Sequence, residues 1–213
     1  MSYISRLALD ETKRDTLRAM INPQMFHAAI EAATSKDSGR NLWRIDKFQG
    51  KYWLLLVSSV EPDLSSMVSQ FGLENLVEPA ETKDYEPFLN RLRDDQVWQF
   101  RLRGNPVRSV KSSDGKRGKI HAHVTPLQQK QWLLDRAESY GFKVDLNNFD
   151  VVNSKWHKFD KASVRNVTIR AVTFEGFLTI TDREKFVEML QMGLGRGKAY
   201  GCGLMTIMRR AGD

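Results

Sequence analysis

VWQFRLRGN, residues 97–105, alternates between apolar and polar side chains, the pattern of a half-buried β-strand. One face carries Trp98, Phe100 and Leu102, and the other carries Val97, Gln99, Arg101 and Arg103. Successive side chains of a strand point to opposite sides of its sheet. We therefore expect the aromatic face to cover a core and the face with the two arginines to stay open.

Two helices are predicted in the residues that follow this strand. The first covers residues 125–140, opened by Pro126 and closed by Gly141, because proline is favoured in the first turn of a helix and glycine just after the last. The second covers residues 183–192, with Asp182 as its N-cap.

Strand-like stretches lie between and after these helices. They are residues 142–156, 164–176, 177–182 and 200–208, with a basic tip between the first two. Together with residues 97–105 they predict nearly the order strand, helix, strand, strand, helix, strand for the second half of the chain, with residues 177–182 as another short strand.

The first half predicts nearly the same order. Residues 3–9 alternate like a strand, and a helix over residues 23–34 follows, with Asn22 as its N-cap and Pro23 in its first position. Its core face consists of residues at helical spacing, namely Phe26, Ala29, Ile30 and Ala33.

A hairpin and a short helix complete the first half. Residues 42–47 and 52–59 predict two strands of one hairpin, and residues 64–70 predict a short helix. Residues 77–85 are ambiguous and could supply a last strand. Two βαββαβ units in tandem follow, an α+β fold with two ferredoxin-like (RRM-like) domains over residues 1–88 and 95–213. Many RNA-binding modules share this sheet, although a fold alone does not give a function.

The overall charge favours a polyanionic partner. The 213 residues contain 33 Lys and Arg against 26 Asp and Glu, a net charge of +7, which favours nucleic acid first and an acidic membrane surface second. A merely basic enzyme is the alternative. A single cysteine, Cys202, excludes an internal disulfide and a cysteine-based metal site. With no signal peptide and no apolar run of about 20 residues, we expect a cytosolic protein.

The glycine-rich stretch GLGRGKAYGCGLM, residues 193–205, suggests a phosphate contact. It lacks the hydroxyl residue of a P-loop, and it follows a helix where GxGxxG would follow a strand, so nucleotide binding is disfavoured. Five glycines exceed what one turn needs, which favours a loop that touches a partner, with Arg196 and Lys198 supplying charge. We expect this loop to hold RNA but not to cut it, and the cutting residue to lie more than 160 residues earlier in the chain, at His27. The alternative is a turn that needs glycine for positive φ.

The four histidines differ in how well each suits a functional role. His121 and His123 share one face of a strand, but no third ligand at a suitable spacing accompanies them, so we expect no metal. His157 lies in a basic tip and is expected to be another exposed polar group. His27 sits at the edge of the apolar face of the first helix, half-buried and facing a groove. RNA carries its own nucleophile, the 2′-OH, so its cleavage needs only proton transfer and charge stabilisation.

Two basic segments and the open face of the first strand make up the predicted RNA contacts. The segment 111–119 carries Lys111, Lys116, Arg117 and Lys119, and the segment 155–165 carries Lys155, Lys158, Lys161 and Arg165. Trp156 and Phe159 are interleaved with the second set, which favours insertion into an RNA groove or a stacking contact. Arg101, Arg103, Arg196 and Lys198 complete the set.

Four blocks of the chain occur together in one known family. FRLRGNP (100–106), AVTFEGFLTITD (171–182) and GLGRGKAYGCGLM (193–205), with NPQMFHAAIE (22–31) near the start, resemble the CasE family, the CRISPR repeat-processing endoribonucleases of type I-E Cascade. The resemblance implies two ferredoxin-like domains, binding of the CRISPR repeat hairpin and cleavage at the 3′ base of its stem. It also implies attack by the 2′-OH without metal or other cofactor, a 2′,3′-cyclic phosphate product, and retention of the enzyme beside other Cascade subunits.

The resemblance also assigns site residues. His27 matches the family's catalytic histidine, and the basic hairpin that grips the stem matches residues 155–165, with Arg165 placed to stabilise charge at the scissile phosphate. Gln24 stands where many members have a tyrosine, so it is an auxiliary residue at most, able to donate a hydrogen bond but not to titrate. This departure keeps a non-catalytic RNA-hairpin-binding module as the alternative function.

Overall fold

A four-stranded antiparallel sheet forms the first half of the chain. The computed structural model describes residues 1–34, 39–110, 119–161 and 164–209, without the side chains of residues 160–166. The elements of this half are β1 (Tyr3–Leu9), α1 (Arg14–Ile21), α2 (Gln24–Ala33), β2 (Leu42–Phe48), β3 (Lys51–Ser58), α3 (Ser65–Phe71) and β4 (Ala80–Asp84). The strands lie in the order β2-β3-β1-β4. The predicted strands and helices are confirmed, with the ends of β1, α2, β2, β3 and α3 displaced by at most one residue.

The first helix, α1, is absent from the sequence prediction. It buries only Thr16 and Ala19, while Leu17 and Ile21 remain 50% and 72% exposed. Leu17, Met20 and Ile21 recur at helical spacing, so a signal for this helix is present in the sequence. The face that the fold buries carries Thr16 and Ala19 instead, which do not stand out as core residues.

The second half forms another antiparallel sheet and a small separate hairpin. Its elements are α4 (Glu86–Leu89), β5 (Val97–Gly104), β6 (Val107–Val110), β7 (Lys119–Ala122), α5 (Pro126–Ala137), β8 (Phe142–Lys143), β9 (Phe149–Lys161), β10 (Val164–Ile180), α6 (Arg183–Met192) and β11 (Met205–Met208). The main sheet has the order β11-β5-β10-β8, with β9 also paired to β10, and β6 pairs with β7 alone. The α+β fold with antiparallel sheets is therefore confirmed.

One strand prediction is wrong. Residues 177–180 are not a strand of their own but the end of β10, which runs for 17 residues. Gly176, where the sequence suggested a break, lies inside this strand: a Cβ there would come within 2.2 Å of the Asn148 carbonyl oxygen. The glycine marks a close approach of two backbones rather than a turn.

The helix starts of the second half match their predicted caps. The Thr125 hydroxyl accepts a hydrogen bond from the Gln128 amide at 3.3 Å, and the Gln128 side chain accepts from the Thr125 amide at 3.4 Å. Asp182 accepts from the Lys185 amide at 3.1 Å. These side chains satisfy backbone donors that the first turn leaves free.

Two aromatic cores lie under the sheets and meet between them. Phe26, Trp43 and Phe71 centre the first core, and Phe100, Phe174 and Phe186 centre the second. Leu42 and Val57 of the first sheet are buried in the second core. No helix among the described residues is long and apolar enough to span a membrane.

A buried arginine joins the two halves. Arg44 on β2 is 1% exposed. Its guanidinium donates to Asp46 at 2.7 Å, to the carbonyl oxygens of Arg101 and Leu204 at 2.7 and 3.1 Å, and to the Thr206 hydroxyl at 2.7 Å. Burial lowers the pKa of Arg44 and Asp46 opposes that effect. An arginine with its donors paired in this way stays charged and fixes the first sheet against β5 and β11.

Candidate active site

Helix α2 places His27 at the edge of a cleft. The N-cap of this helix is Pro23, one residue after the predicted cap Asn22. The Asn22 side chain accepts a hydrogen bond from the Gln24 amide at 3.2 Å. Phe26 and Ile30 are fully buried and anchor the helix on the first core. His27 points away from that anchor, with its side chain 28% exposed, which agrees with the half-buried position predicted for it.

The catalytic candidate and the glycine-rich loop line the same cleft. Its walls are His27, Glu31 and residues 39–41 on one side and residues 195–199 on the other, around a volume of about 460 Å³. The loop and His27, which are more than 160 residues apart in the chain, are therefore neighbours in the fold. The sequence did not predict this contact, because it joins two halves of the chain and periodicity within one half cannot reveal it.

The glycines of this loop allow its backbone to adopt positive φ angles. All five, from Gly193 to Gly203, have φ between 74° and 95°, the region that glycine favours. At Gly201 a Cβ would also lie 2.9 Å from the Trp43 ring, so the loop packs tightly on β2. The number of glycines is therefore explained by backbone geometry, and the inference of a partner from that number does not hold.

The loop also supports the β9–β10 hairpin near its turn. The Phe159 and Tyr200 rings meet edge to face with centroids 4.8 Å apart. Cys202 is fully buried beside them, and burial raises the pKa of its thiol to about 11. A protonated, inaccessible thiol acts here as a small apolar side chain.

Three cations surround the His27 cleft. Arg196 is exposed, and Lys198 donates from Nζ to the Met192 carbonyl oxygen at 2.7 Å. Burial and the nearby charge of Arg40 lower the pKa of Lys198. Arg40 was not among the predicted residues, and nothing in its local pattern distinguishes it from other surface arginines.

Glu31 faces the imidazole from one turn further along α2. Its Oε1 lies 3.8 Å from His27 Nδ1. The Asn41 amide donates to the same carboxylate oxygen at 3.2 Å. The sequence analysis missed both residues, although a glutamate four residues after a histidine lies on the same helix face and is a usable signal.

A second cleft lies between the two halves, beside the middle of the β9–β10 hairpin. Arg103, Lys155 and His157 line one side, and Lys47 and Tyr52 of the first sheet line the other, around about 320 Å³. The five side chains come from β5, β9, β2 and β3. They give this cleft an excess of positive charge and one aromatic surface, which is suited to an RNA strand.

His157 is not the exposed polar group that the sequence suggested. It is partly buried, and Arg103 Nη2 donates to its Nε2 across 3.0 Å. Burial, with the neighbouring charges of Arg103 and Lys155, lowers the pKa of His157 to about 4. At neutral pH the imidazole is therefore uncharged and accepts the arginine's hydrogen bond.

The other predicted RNA contacts are dispersed over the second half. Lys155 and Lys158 are exposed on β9, and Lys119 is exposed on β7. Arg170 stacks over Trp156 with 5.0 Å between the guanidinium carbon and the ring centre. Arg101 is engaged in ion pairs with Asp46 and Glu175, so part of its charge is neutralised within the protein.

Several predicted residues lie outside the described part of the chain. These are Lys111, Lys116 and Arg117, together with the side chains of Lys161 and Arg165. Gln24 is described: it is the first residue of α2, and its Oε1 is buried without a hydrogen-bond partner.

No metal-binding cluster is present among the described residues. None of their His, Cys, Asp and Glu side chains form a group of three or more that could hold an ion. His121 is exposed on β7, and His123 follows the end of that strand.

Comparison with known proteins identifies relatives that span the chain. The CRISPR-associated endoribonuclease Cse3 of Thermus thermophilus is 29% identical over 96% of this chain and 99% of its own length. The Cascade subunit CasE of Escherichia coli is 30% identical over 51% of this chain and 56% of its own. The structure of T. thermophilus Cse3 bound to an RNA representing a pre-cleavage complex matches with a TM-score of 0.79, at 26% identity, over 97% of this chain and 98% of that one.

A family model covers the same extent. The model described as CRISPR associated protein matches residues 2–209, which include α2, both clefts and the glycine-rich loop. Together with the two relatives, this match confirms the resemblance drawn from the four sequence blocks. The chain belongs to the family of CRISPR-associated proteins that contains Cse3 and CasE.

Proposed function

We propose that this protein is a metal-independent endoribonuclease that cleaves CRISPR repeat RNA at the 3′ base of its stem. The observation that carries the proposal is the position of His27 in one cleft with Arg40, Arg196 and Lys198. A proton-transfer group beside several cations is what phosphodiester cleavage by an internal 2′-OH requires. The endoribonuclease activity itself follows from the relative named for it.

The residues of the cleft have two roles in this proposal, proton transfer and stabilisation of negative charge. The 2′-oxygen attacks the adjacent phosphorus, the bond to the 5′-oxygen breaks, and the products are a 2′,3′-cyclic phosphate and a 5′-OH. His27 carries one of the two proton transfers, either from the 2′-OH or to the leaving oxygen. Arg40, Arg196 and Lys198 stabilise the negative charge that builds on the phosphate oxygens in the transition state.

The second cleft and the basic hairpin hold the RNA stem in this proposal. Lys155 and Lys158 contact phosphates, Trp156 offers a stacking surface, and Arg103 is held toward the cleft by His157. Arg165 and the 111–119 segment remain predicted contacts. Most contacts of this kind position the RNA rather than read its sequence.

The domain assignment and the partners belong to the same proposal. The sheet orders of the two halves support two ferredoxin-like domains, over residues 1–88 and 95–213. The relative named as a Cascade subunit supports retention of the cleaved RNA within Cascade, beside its other subunits, in the cytosol.

Replacement of His27 tests the reaction. We expect His27→Ala to lower the rate of cleavage of repeat RNA in EDTA by about 100- to 10,000-fold, the usual contribution of a positioned acid or base. Binding of the hairpin should persist, because the phosphate-binding cations are unchanged. Cleavage is followed on a denaturing gel under single-turnover conditions, with binding measured by filter retention.

His121→Ala is the matched control, since His121 is exposed on β7 and takes no part in the cleft. Equal cleavage by the His27 and His121 variants would remove His27 from the mechanism. Tight hairpin binding without cleavage by the wild-type protein would favour a non-catalytic RNA-binding module, for which Gln24 in the tyrosine position is the supporting feature.

A further inference from the structure

A chain of hydrogen-bonding side chains reaches from the protein interior to His27. The Thr34 hydroxyl donates to the Ile30 carbonyl oxygen at 2.9 Å at the end of α2. The Asn41 amide donates to the Thr34 hydroxyl at 2.9 Å and to Glu31 Oε1 at 3.2 Å. Glu31 Oε1 in turn lies 3.8 Å from His27 Nδ1.

The inner members of this chain are buried and the outer ones are accessible. Thr34 and Asn41 are 4% and 7% exposed, whereas the Glu31 side chain is 53% exposed. A glutamate so exposed would ordinarily sample several rotamers. The buried Asn41 amide favours the rotamer whose carboxylate faces the imidazole.

The charge of Glu31 argues against a direct contact with RNA. It is the one carboxylate among the described residues that line this cleft, whose other charged side chains are cationic. A carboxylate beside a phosphate repels it, so Glu31 does not favour RNA binding, and we expect it to act on another group. His27 is the group within its reach.

We propose that Glu31, oriented by Asn41, is a positioning residue for His27. Its carboxylate accepts a hydrogen bond from the Nδ1–H group, which leaves Nε2 free to exchange a proton with the RNA. The ring nitrogen that keeps its proton is set by the hydrogen bond which that nitrogen makes, and a base oriented by a third group is a recurring arrangement in nucleophilic catalysis. The 3.8 Å separation needs to shorten to a hydrogen bond in the RNA complex, as is common for catalytic contacts. This inference rests on the proposed role of His27.

Three variants test the inference: Glu31→Ala, Glu31→Gln and, as control, Glu188→Gln, an exposed glutamate on α6. We expect Glu31→Ala to lower the single-turnover cleavage rate at saturating repeat RNA about 10- to 100-fold, the effect of one charge-assisted hydrogen bond. RNA affinity should stay equal or rise, since a negative charge is removed. Glu31→Gln keeps an acceptor oxygen and should recover part of the rate, and the control should match the wild type.

Nitrogen-15 NMR of the His27 ring measures which ring nitrogen carries the proton, and it needs no RNA. In the wild-type protein at neutral pH we expect Nδ1 of His27 to carry the proton, and in Glu31→Ala we expect the population to move toward Nε2. An unchanged ring population, or wild-type cleavage by Glu31→Ala, overturns the inference. If His27→Ala instead cuts normally while the ring signals respond to Glu31, the catalytic role proposed for His27 fails and the positioning contact stands.

Discussion

His157 shows how a side chain in a basic cleft is kept neutral. It lies between Arg103 and Lys155, and both charges oppose its protonation in addition to burial. The neutral ring accepts the Arg103 hydrogen bond, which holds that guanidinium in the second cleft. Protonation would turn the acceptor into a donor and set two cations against each other.

A pH dependence of stability follows from this residue. Because the pKa of His157 is lowered to about 4 in the folded protein, against an ordinary value of 6.5, the unfolded chain binds a proton over this interval and the folded chain does not. The free energy of unfolding should therefore fall as the pH drops from about 6.5 toward 4.

Urea unfolding of wild type and His157→Gln over this pH range measures the effect. Carboxylates contribute to both proteins, so the difference between the two curves isolates the histidine. We expect the variant's stability to depend less on pH, and parallel curves would contradict the assignment.

The positions of some site residues could be predicted from the sequence, and those of others could not. His27 could be placed because helical periodicity puts it beside the buried Phe26 and Ile30. Arg40 and Asn41 could not, since they belong to the cleft only through the fold, and local sequence does not mark them. His157 was misassigned because a strand pattern does not say which face of a hairpin is covered by another half of the molecule.

At the scale of elements, the glycine-rich loop joins more parts than a turn does. It packs on β2 through Gly201, on the β9–β10 hairpin through Tyr200, and it faces α2 across the His27 cleft. Its two cations are held differently: Arg196 is exposed, and Lys198 is tied to the Met192 carbonyl oxygen.

The two cations should therefore respond differently to removal. Arg196→Ala should weaken RNA binding and lower the slope of log affinity against log salt by about 1, as expected for one lost phosphate contact, with little change in stability. Lys198→Ala should also destabilise the protein, by about 1 kcal/mol, because it removes a hydrogen bond to the end of α6.

Filter binding at several salt concentrations and thermal unfolding measure the two effects. A normal salt slope in both variants would make the loop purely structural. Equal loss of stability in both would contradict the distinct environments of the two side chains.

Elements were predictable where the apolar pattern is regular. The alternation in β5 and the caps of α5 and α6 are confirmed, because local geometry and burial agree there. Helix α1 escaped prediction since its buried residues are Thr16 and Ala19, and β10 was divided at Gly176 because a glycine in a strand resembles a break until its neighbour is known.

At the scale of the whole molecule, Arg44 links sheets from the two halves. Four acceptors surround it, and three of them belong to β5, β11 and the residue before β11. The clefts lie between the halves that this arginine connects, so their shape depends on the contact.

Replacing Arg44 should be costly. Arg44→Met leaves the Arg101 and Leu204 carbonyl oxygens without this donor and removes one partner of the partly buried Asp46, for an expected loss of about 3–5 kcal/mol of unfolding free energy. Arg6→Met is the matched control, since Arg6 pairs with Glu81 while 54% exposed and should contribute at most about 1 kcal/mol. Urea titrations that gave similar losses for both would contradict a structural role for Arg44.

The His27 cleft has a consequence for the order in which the protein is made. Its first wall, near residue 27, leaves the ribosome early, and its second wall, residues 195–199, is among the last described segments to emerge. A nascent chain that already presents its histidine has no opposing cations and no loop to complete the site. On the proposed function, a partly synthesised chain cannot cleave repeat RNA until the glycine-rich loop has been made and has folded against α2.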